Sequence, residues 1–182
     1  MRSLPRFSIV IPTRNRADLL PYAIKSALAQ DYSDFEVLVS NNSSTDHTEQ
    51  VISEYERKDH RVRSVRTASL VAMPESWEFA LTHARGEYIT YLCDDDAVGP
   101  QLLSRVDAVL REHDVSVVCW KRYNYFHPNW YEETQRNTLY LTPCSGKVLI
   151  KRSGEALASL CNRLSMTKGG FGPLMLNSFC HR

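Results

Sequence analysis

Apolar positions along the chain alternate between two rhythms, one suited to buried strands and one to amphipathic helices. Phe7–Ile11 (FSIVI) is a short continuous run ended by Pro12, as expected of a buried strand. Leu20, Ile24, Ala27 and Leu28 then fall on one helical face between Asp18 and Gln30, with Pro21 tolerable in the first turn. Phe35–Ser40 (FEVLVS) predicts a second strand. The polar run Asn41–Asp46 leads into a helix bearing Val51, Ile52 and Tyr55, with capping chemistry on offer from Ser44, Thr45 or Asp46. Val62–Arg66 reads as a weaker strand. Pro74 opens a helix with Trp77, Leu81 and Ala84 on its core face, closed around Gly86.

Tyr88–Leu92 (YITYL) predicts a further strand, Leu102, Leu103, Val106, Val109 and Leu110 a helix, and Val115–Trp120 another strand. Beyond Tyr123 the rhythm blurs. Tyr123–Tyr140 reads as a loop or irregular hairpin, followed by a helix near Gly154–Leu164, a glycine-rich bend at Gly169–Gly172 and a last strand, Leu174–Cys180. Strand and helix alternating in this way predict an α/β, Rossmann-like fold, a mostly parallel sheet with helices on both faces. At 182 residues the chain is expected to be a single domain.

Composition narrows the classes. A hydrophobic fraction of 43% and a charged fraction of 24% supply an ordinary globular core. The formal charge of +1 argues against an electrostatic hold on nucleic acid. Arg57, Lys58, His60, Arg61, Arg63 and Arg66 do cluster, and are read as a solvated helix end and edge strand. The five cysteines are odd in number and lack metal-binding spacing, and no run is long enough to serve as a signal or to span a membrane. The expected location is cytoplasmic, or peripheral to the inner face of the membrane.

Ligands of open parallel sheets bind beyond the carboxyl ends of the strands. That rule selects Pro12–Arg16, Asn41–Asp46 and Cys93–Asp96. Arg14 and Arg16 suit phosphate, Asn41 and Asn42 present amides to a base, and Asp94, Asp95 and Asp96 can hold a cation. Adjacent carboxylates repel unless a cation or solvent relieves them. Mg²⁺ and Mn²⁺ favour one or two carboxylates plus phosphate oxygens, the chemistry of a departing diphosphate. Neither GxGxxG nor GxxxxGK[ST] occurs, so phosphate would be met by metal and side chains.

The strings SIVIPTRNRADLLPYAIKSALAQDYSDFEVLVSNNSSTDHT, MPESWEFALTHARGEYI and RGEYITYLCDDD, in that order, resemble family-2 inverting glycosyltransferases. The resemblance is strong over residues 6–112 and looser beyond. It implies a glycosyltransferase A fold, a nucleoside diphosphate sugar donor (a UDP-sugar above all), Mn²⁺ or Mg²⁺, and a glycan or lipid-linked acceptor. It places Pro12, Thr13 and Arg14 around the nucleoside, and Asn41 and Asn42 where an Asp pair usually reads base and ribose. Asp94 and Asp95 fall at the ribose and metal positions, Asp95 as the main ligand, with Asp96 in support. The motif's first Asp is Cys93 here. Residues 1–122 then correspond to the donor-binding half and 123–182 to the opening of an acceptor half, with the general base expected beyond Arg182. Two rival readings are a catalytically incomplete nucleotide-sugar-binding module and a Mg²⁺-dependent nucleotidyltransferase, although the latter usually carries a Gly-rich or Lys-bearing first loop.

Overall fold

The computed structural model describes residues 4–120, 123–126, 132–141 and 178–181. Its elements run β1 (Phe7–Thr13), α1 (Leu20–Leu28), β2 (Phe35–Asn41), α2 (Thr48–Lys58), β3 (Val62–Arg66), α3 (Met73–His83), β4 (Tyr88–Tyr91), α4 (Leu102–Glu112), β5 (Val117–Cys119), β6 (Tyr123–Phe126), β7 (Thr138–Leu141) and β8 (Ser178–His181). One compact unit spans Met1–Cys119 with Ser178–Arg182, and a second spans Trp120–Asn177.

In the first unit the sheet order is β3-β2-β1-β4-β8-β5. β1 pairs in parallel with β2 and β4, and β2 with β3, while β8 runs antiparallel to both β4 and β5. The sheet is thus mostly parallel, as the strand–helix alternation predicts. β1 and β2 are buried along their whole length, because a central strand has both faces covered. The connections through α1 and α2 step outward from β1 to β3, and the one through α3 returns past β1 to β4. With right-handed crossovers that reversal puts α3 on the opposite face from α1 and α2. Val10 and Leu38, register partners, pack there with Ala80, Ala84 and Ile89.

Pro12 does not end β1 but lies inside it, paired with Ser40. The Leu92 amide donates to the Val10 carbonyl, 2.9 Å, so Val10 and, two residues on, Pro12 direct their backbone groups towards β4. β4 stops at the Val10–Tyr91 pair. The amide that proline lacks therefore falls where no strand would have accepted from it.

Of the Trp77, Leu81 and Ala84 expected on the core face of α3, Ala84 is buried and the other two are not. Within the helix Ser76 and Ala80 are the buried positions, Leu81 is 40% exposed, and Trp77 is half-buried against the Tyr91 ring, centroids 4.7 Å apart. Ser76, Ala80 and Ala84 repeat every four residues, and their small side chains let the helix lie close to the sheet. The helix also ends at His83, before Gly86. Gly86 is buried against β1: a Cβ there would lie 2.4 Å from the Ser8 nitrogen and 2.6 Å from the Phe7 carbonyl carbon.

Below that approach lies a buried polar network. Glu36, 6% exposed, accepts from Ser8 Oγ (2.6 Å), Arg63 Nε (2.6 Å) and the Arg85 amide (2.7 Å), and Ser8 Oγ accepts from the Gly86 amide (2.7 Å). Burial alone would raise the Glu36 pKa. The hydrogen bonds from Arg63, Ser8 and Arg85 outweigh it and hold the carboxyl below its ordinary value. Arg63 also donates to the His83 carbonyl. Much of the basic stretch expected to be simply solvated is in fact paired, Arg61 with Asp59, Arg63 with Glu36 and Arg66 with Glu49.

In the second unit β6 and β7 form an antiparallel pair running from Tyr123↔Leu141 to Phe126↔Thr138, the hairpin alternative of the sequence reading. Asn137 precedes β7 with φ 57°, a left-handed conformation Asn tolerates. The helix expected near 154–164, the bend at 169–172 and the first part of the last strand, 174–177, lie outside the described residues.

Candidate functional site

β1 and β2 end side by side at the Thr13–Asn41 pair, while β4 ends three residues earlier along β1, at Val10–Tyr91. The loops after these three strands therefore converge at one end of the sheet, as the strand-end rule anticipates. The first two loops are laced together. The Asn15 amide donates to Ser44 Oγ (3.0 Å), the Thr45 amide to Asn15 Oδ1 (2.8 Å), the Arg16 amide to Thr48 Oγ1 (3.1 Å) and the Ala17 amide to Asp46 Oδ2 (3.2 Å). Asn15 and Ser43 have φ of 52° and 53°, and the lacing holds both in this less favoured region. Asp46, one residue before the N-cap position His47, also accepts from the Thr48 amide (3.0 Å) at the start of α2.

Asn41 is 1% exposed and its amide is engaged within the chain: Nδ2 donates to Glu49 (2.6 Å) and Oδ1 accepts from the Ser44 amide (2.9 Å). Glu49 is held in turn by Arg66 (2.9 Å). Asn42, 7% exposed, pairs with Val71 as one peptide group pairs with another, Nδ2 donating to its carbonyl (2.9 Å) and Oδ1 accepting from its amide (3.1 Å). Thr67 Oγ1 adds a third bond to Asn42 Oδ1 (3.2 Å). An aspartate at 42 could accept from Val71 but not donate to it, a local reason for the amide here. Both amides, expected to face a base, thus shape the loops after β2 and β3. The pairings of Glu49 with Asn41 and Arg66, and of Thr67 and Val71 with Asn42, carry no signal in the sequence. Glu49 and Arg66 stand 17 residues apart on different elements, so no spacing rule links them.

Thr13 is buried and donates to Asp94 Oδ2 at 2.7 Å, joining the first loop to the loop after β4. Burial, with the nearby charge of Asp95, raises the Asp94 pKa, against the opposing effects of the Thr13 and Arg14 hydrogen bonds and the Arg16 charge. Pro12 is buried beside Thr13, while the Arg14 and Arg16 side chains are exposed at the rim. Asp94 therefore sits with Thr13 and Arg14, and not with the group that gathers around Asp95.

That group is Cys93, Asp95 and Asp96, whose ligand atoms lie within 4.8 Å of one another. The Asp96 amide donates to the Cys93 carbonyl at 3.1 Å, closing a four-residue turn that brings the first and last side chains to the same side. Asp95 and Asp96 are exposed and Cys93 is half-buried. Two exposed carboxylates beside loops bearing arginines fit a divalent cation that keeps open positions for phosphate oxygens.

An open, mostly parallel sheet with three polar loops meeting at the carboxyl ends of its strands defines an α/β domain of the glycosyltransferase A type. The family described as Glycosyl transferase family 2 matches residues 8–168, and the chain belongs to that family. Among curated relatives it is 36% identical, over 94 residues, to the GalNAc(5)-diNAcBac-PP-undecaprenol beta-1,3-glucosyltransferase of Campylobacter jejuni, covering 51% of this chain and 30% of that protein. It is 27% identical to glycosyltransferase GlyG of Streptococcus pneumoniae over 65% of this chain and 39% of that one. The chain thus spans roughly a third of the length of these relatives. Among solved structures, TarS of S. aureus in complex with UDP superposes with a TM-score of 0.58 at 28% identity, over 62% of this chain and 34% of that one. The mannosyltransferase PcManGT of Pyrobaculum calidifontis, in complex with GDP-Man and Mn²⁺, superposes with a TM-score of 0.55 at 26% identity, over 66% and 36%. Among the described residues no helix is long and apolar enough to cross a membrane.

Proposed function

We propose that this chain carries the donor site of an inverting glycosyltransferase, which moves a sugar from a nucleoside diphosphate sugar to an acceptor hydroxyl. The observation that carries the reading is the Thr13–Asp94 bond, which ties the first loop to the acidic turn where Asp95 and Asp96 stand together. A UDP-sugar is the donor favoured, in keeping with the UDP complex of the similar TarS. Pro12 and Thr13 form the floor under the nucleoside, and Asp94 accepts from its ribose. Asn41 and Asn42 act on the base through the loops they hold in place, 41–48 and 67–71. Arg14 and Arg16 meet phosphate charge at the rim.

Asp95 and Asp96, with Cys93 beside them, would hold Mn²⁺ or Mg²⁺, which when bound neutralises charge developing on the departing diphosphate. The residues of the chain orient the donor so that the leaving diphosphate faces this turn and the anomeric carbon faces the acceptor. Residues 1–122 form the donor-binding half in this reading and 123–182 open the acceptor half. A glycan or lipid-linked acceptor, met at the cytoplasmic face of a membrane, accords with the undecaprenol-linked substrate in the name of the Campylobacter relative. Cys93, where the family motif has an Asp, favours the alternative, a module that binds donor without turnover.

Calorimetric titration of UDP with and without Mn²⁺, on the chain and on Asp95→Ala, tests the proposal, with dTDP and GDP run in the same format. Metal-dependent binding that Asp95→Ala abolishes is expected. No binding of any of the three nucleotides would overturn it.

A further inference from the structure

Resting on the metal-assisted reading above, we propose that Cys93 is itself a ligand of the cation and biases the site towards thiophilic divalent ions over magnesium. The Cys93–Asp96 turn brings its terminal residues together, and the thiol and the carboxylates of Asp95 and Asp96 lie within 4.8 Å of one another. An ion about 2.0–2.3 Å from each of two oxygen or sulfur donors spans at most ~4.6 Å between them, so only small side-chain adjustments close all three onto one ion. Asp94 lies outside this group, its Oδ2 accepting from Thr13 at 2.7 Å. Cys93 binds as the thiolate, its proton passing to solvent, and joins two carboxylates in an anionic donor set. Oxygen donors alone suit Mg²⁺ and Mn²⁺. A sulfur donor adds affinity for Zn²⁺ and Co²⁺ that magnesium does not share.

Titration of the 182-residue chain with Co²⁺, followed by the thiolate-to-cobalt charge-transfer absorption in the near ultraviolet, reads the ligation directly. The band is expected in the wild-type chain and in Cys119→Ser, which removes an exposed thiol elsewhere. It is expected to vanish in Cys93→Ser. In Cys93→Asp, Co²⁺ should bind without the band, and the ratio of the Mg²⁺ to the Co²⁺ dissociation constant should fall at least about tenfold. A wild-type chain saturated with Co²⁺ that shows no band, or a band unchanged in Cys93→Ser, would overturn the assignment. Mn²⁺-dependent UDP binding without a Cys93-dependent band removes the ligand assignment and leaves the donor site standing. A Cys93-dependent band in a chain that binds no nucleotide does the reverse.

Discussion

Replacing Gly86 by alanine tests how the strand that carries the acidic turn is seated on the central strand. The added Cβ would lie 2.4 Å from the Ser8 nitrogen, 2.6 Å from the Phe7 carbonyl carbon and 2.7 Å from Ser8 Oγ. Ordinary contact begins near ~3.4 Å, so the start of β4 must move about 1 Å from β1, and two of the three atoms are backbone that cannot rotate away. Such a shift weakens the Gly86 amide bond to Ser8 Oγ (2.7 Å) and strains the Glu87–Pro5 (3.1 Å) and Tyr88–Arg6 (3.0 Å) backbone bonds just beyond it. Overpacking contributes about 1–3 kcal/mol and the damaged hydrogen bonds about 1 kcal/mol more, for a loss of roughly 2–4 kcal/mol. At about 2–4 °C per kcal/mol for a chain of this size, the melting midpoint should fall by roughly 5–15 °C. The assay is thermal and urea unfolding of Gly86→Ala beside Gly99→Ala, whose Cβ would meet nothing within 4 Å. Equal midpoints for the two variants would refute the argument.

Three further outcomes are expected. Thr13→Val keeps the shape of a buried side chain but withdraws the donor 2.7 Å from Asp94. With Asp94 partly open to water, UDP binding should weaken by about 1 kcal/mol, roughly fivefold, at unchanged thermal stability; calorimetry and a melting curve together check it. Glu36 has a folded pKa below its unfolded value, so its contribution is complete above the unfolded pKa and is lost as pH falls through the folded one. The stability gap between wild type and Glu36→Gln should therefore narrow on acidification from pH 7 towards pH 3, and a gap that widens contradicts the network described. Asn42→Asp sets a carboxylate against the Val71 carbonyl where Nδ2 now donates at 2.9 Å. Loss of that bond should cost about 1–3 kcal/mol and speed limited proteolysis in residues 67–72.

The aligned loops show how far residue pattern reaches. FSIVI and FEVLVS are largely apolar, as suits a strand covered on both faces, and β1 and β2 formed there. Pro12 misled the boundary because a missing amide breaks a strand only where a neighbour would have accepted from it, and β4 stops short of that point. Trp77 misled the face of α3 because bulk suggests core, whereas closeness to a sheet favours Ser76 and Ala80. Gly86, read as a helix stop, is required instead by contact with a strand 78 residues away in sequence.

By itself the sequence determined the alternation of strands and helices, hence a mostly parallel α/β sheet, and the three polar loops that must meet at its carboxyl end. Those are consequences of local periodicity and of where strands stop. Only the tertiary structure decided how each polar side chain is used. It turned Asp94 to Thr13, locked Asn41 to Glu49 and Asn42 to Val71, and gathered Cys93 with Asp95 and Asp96. The Thr13–Asp94 and Asn42–Val71 bonds join residues 81 and 29 positions apart in sequence, and a carboxylate or amide takes whichever partner the folded chain brings within about 3 Å, a choice that no local pattern encodes.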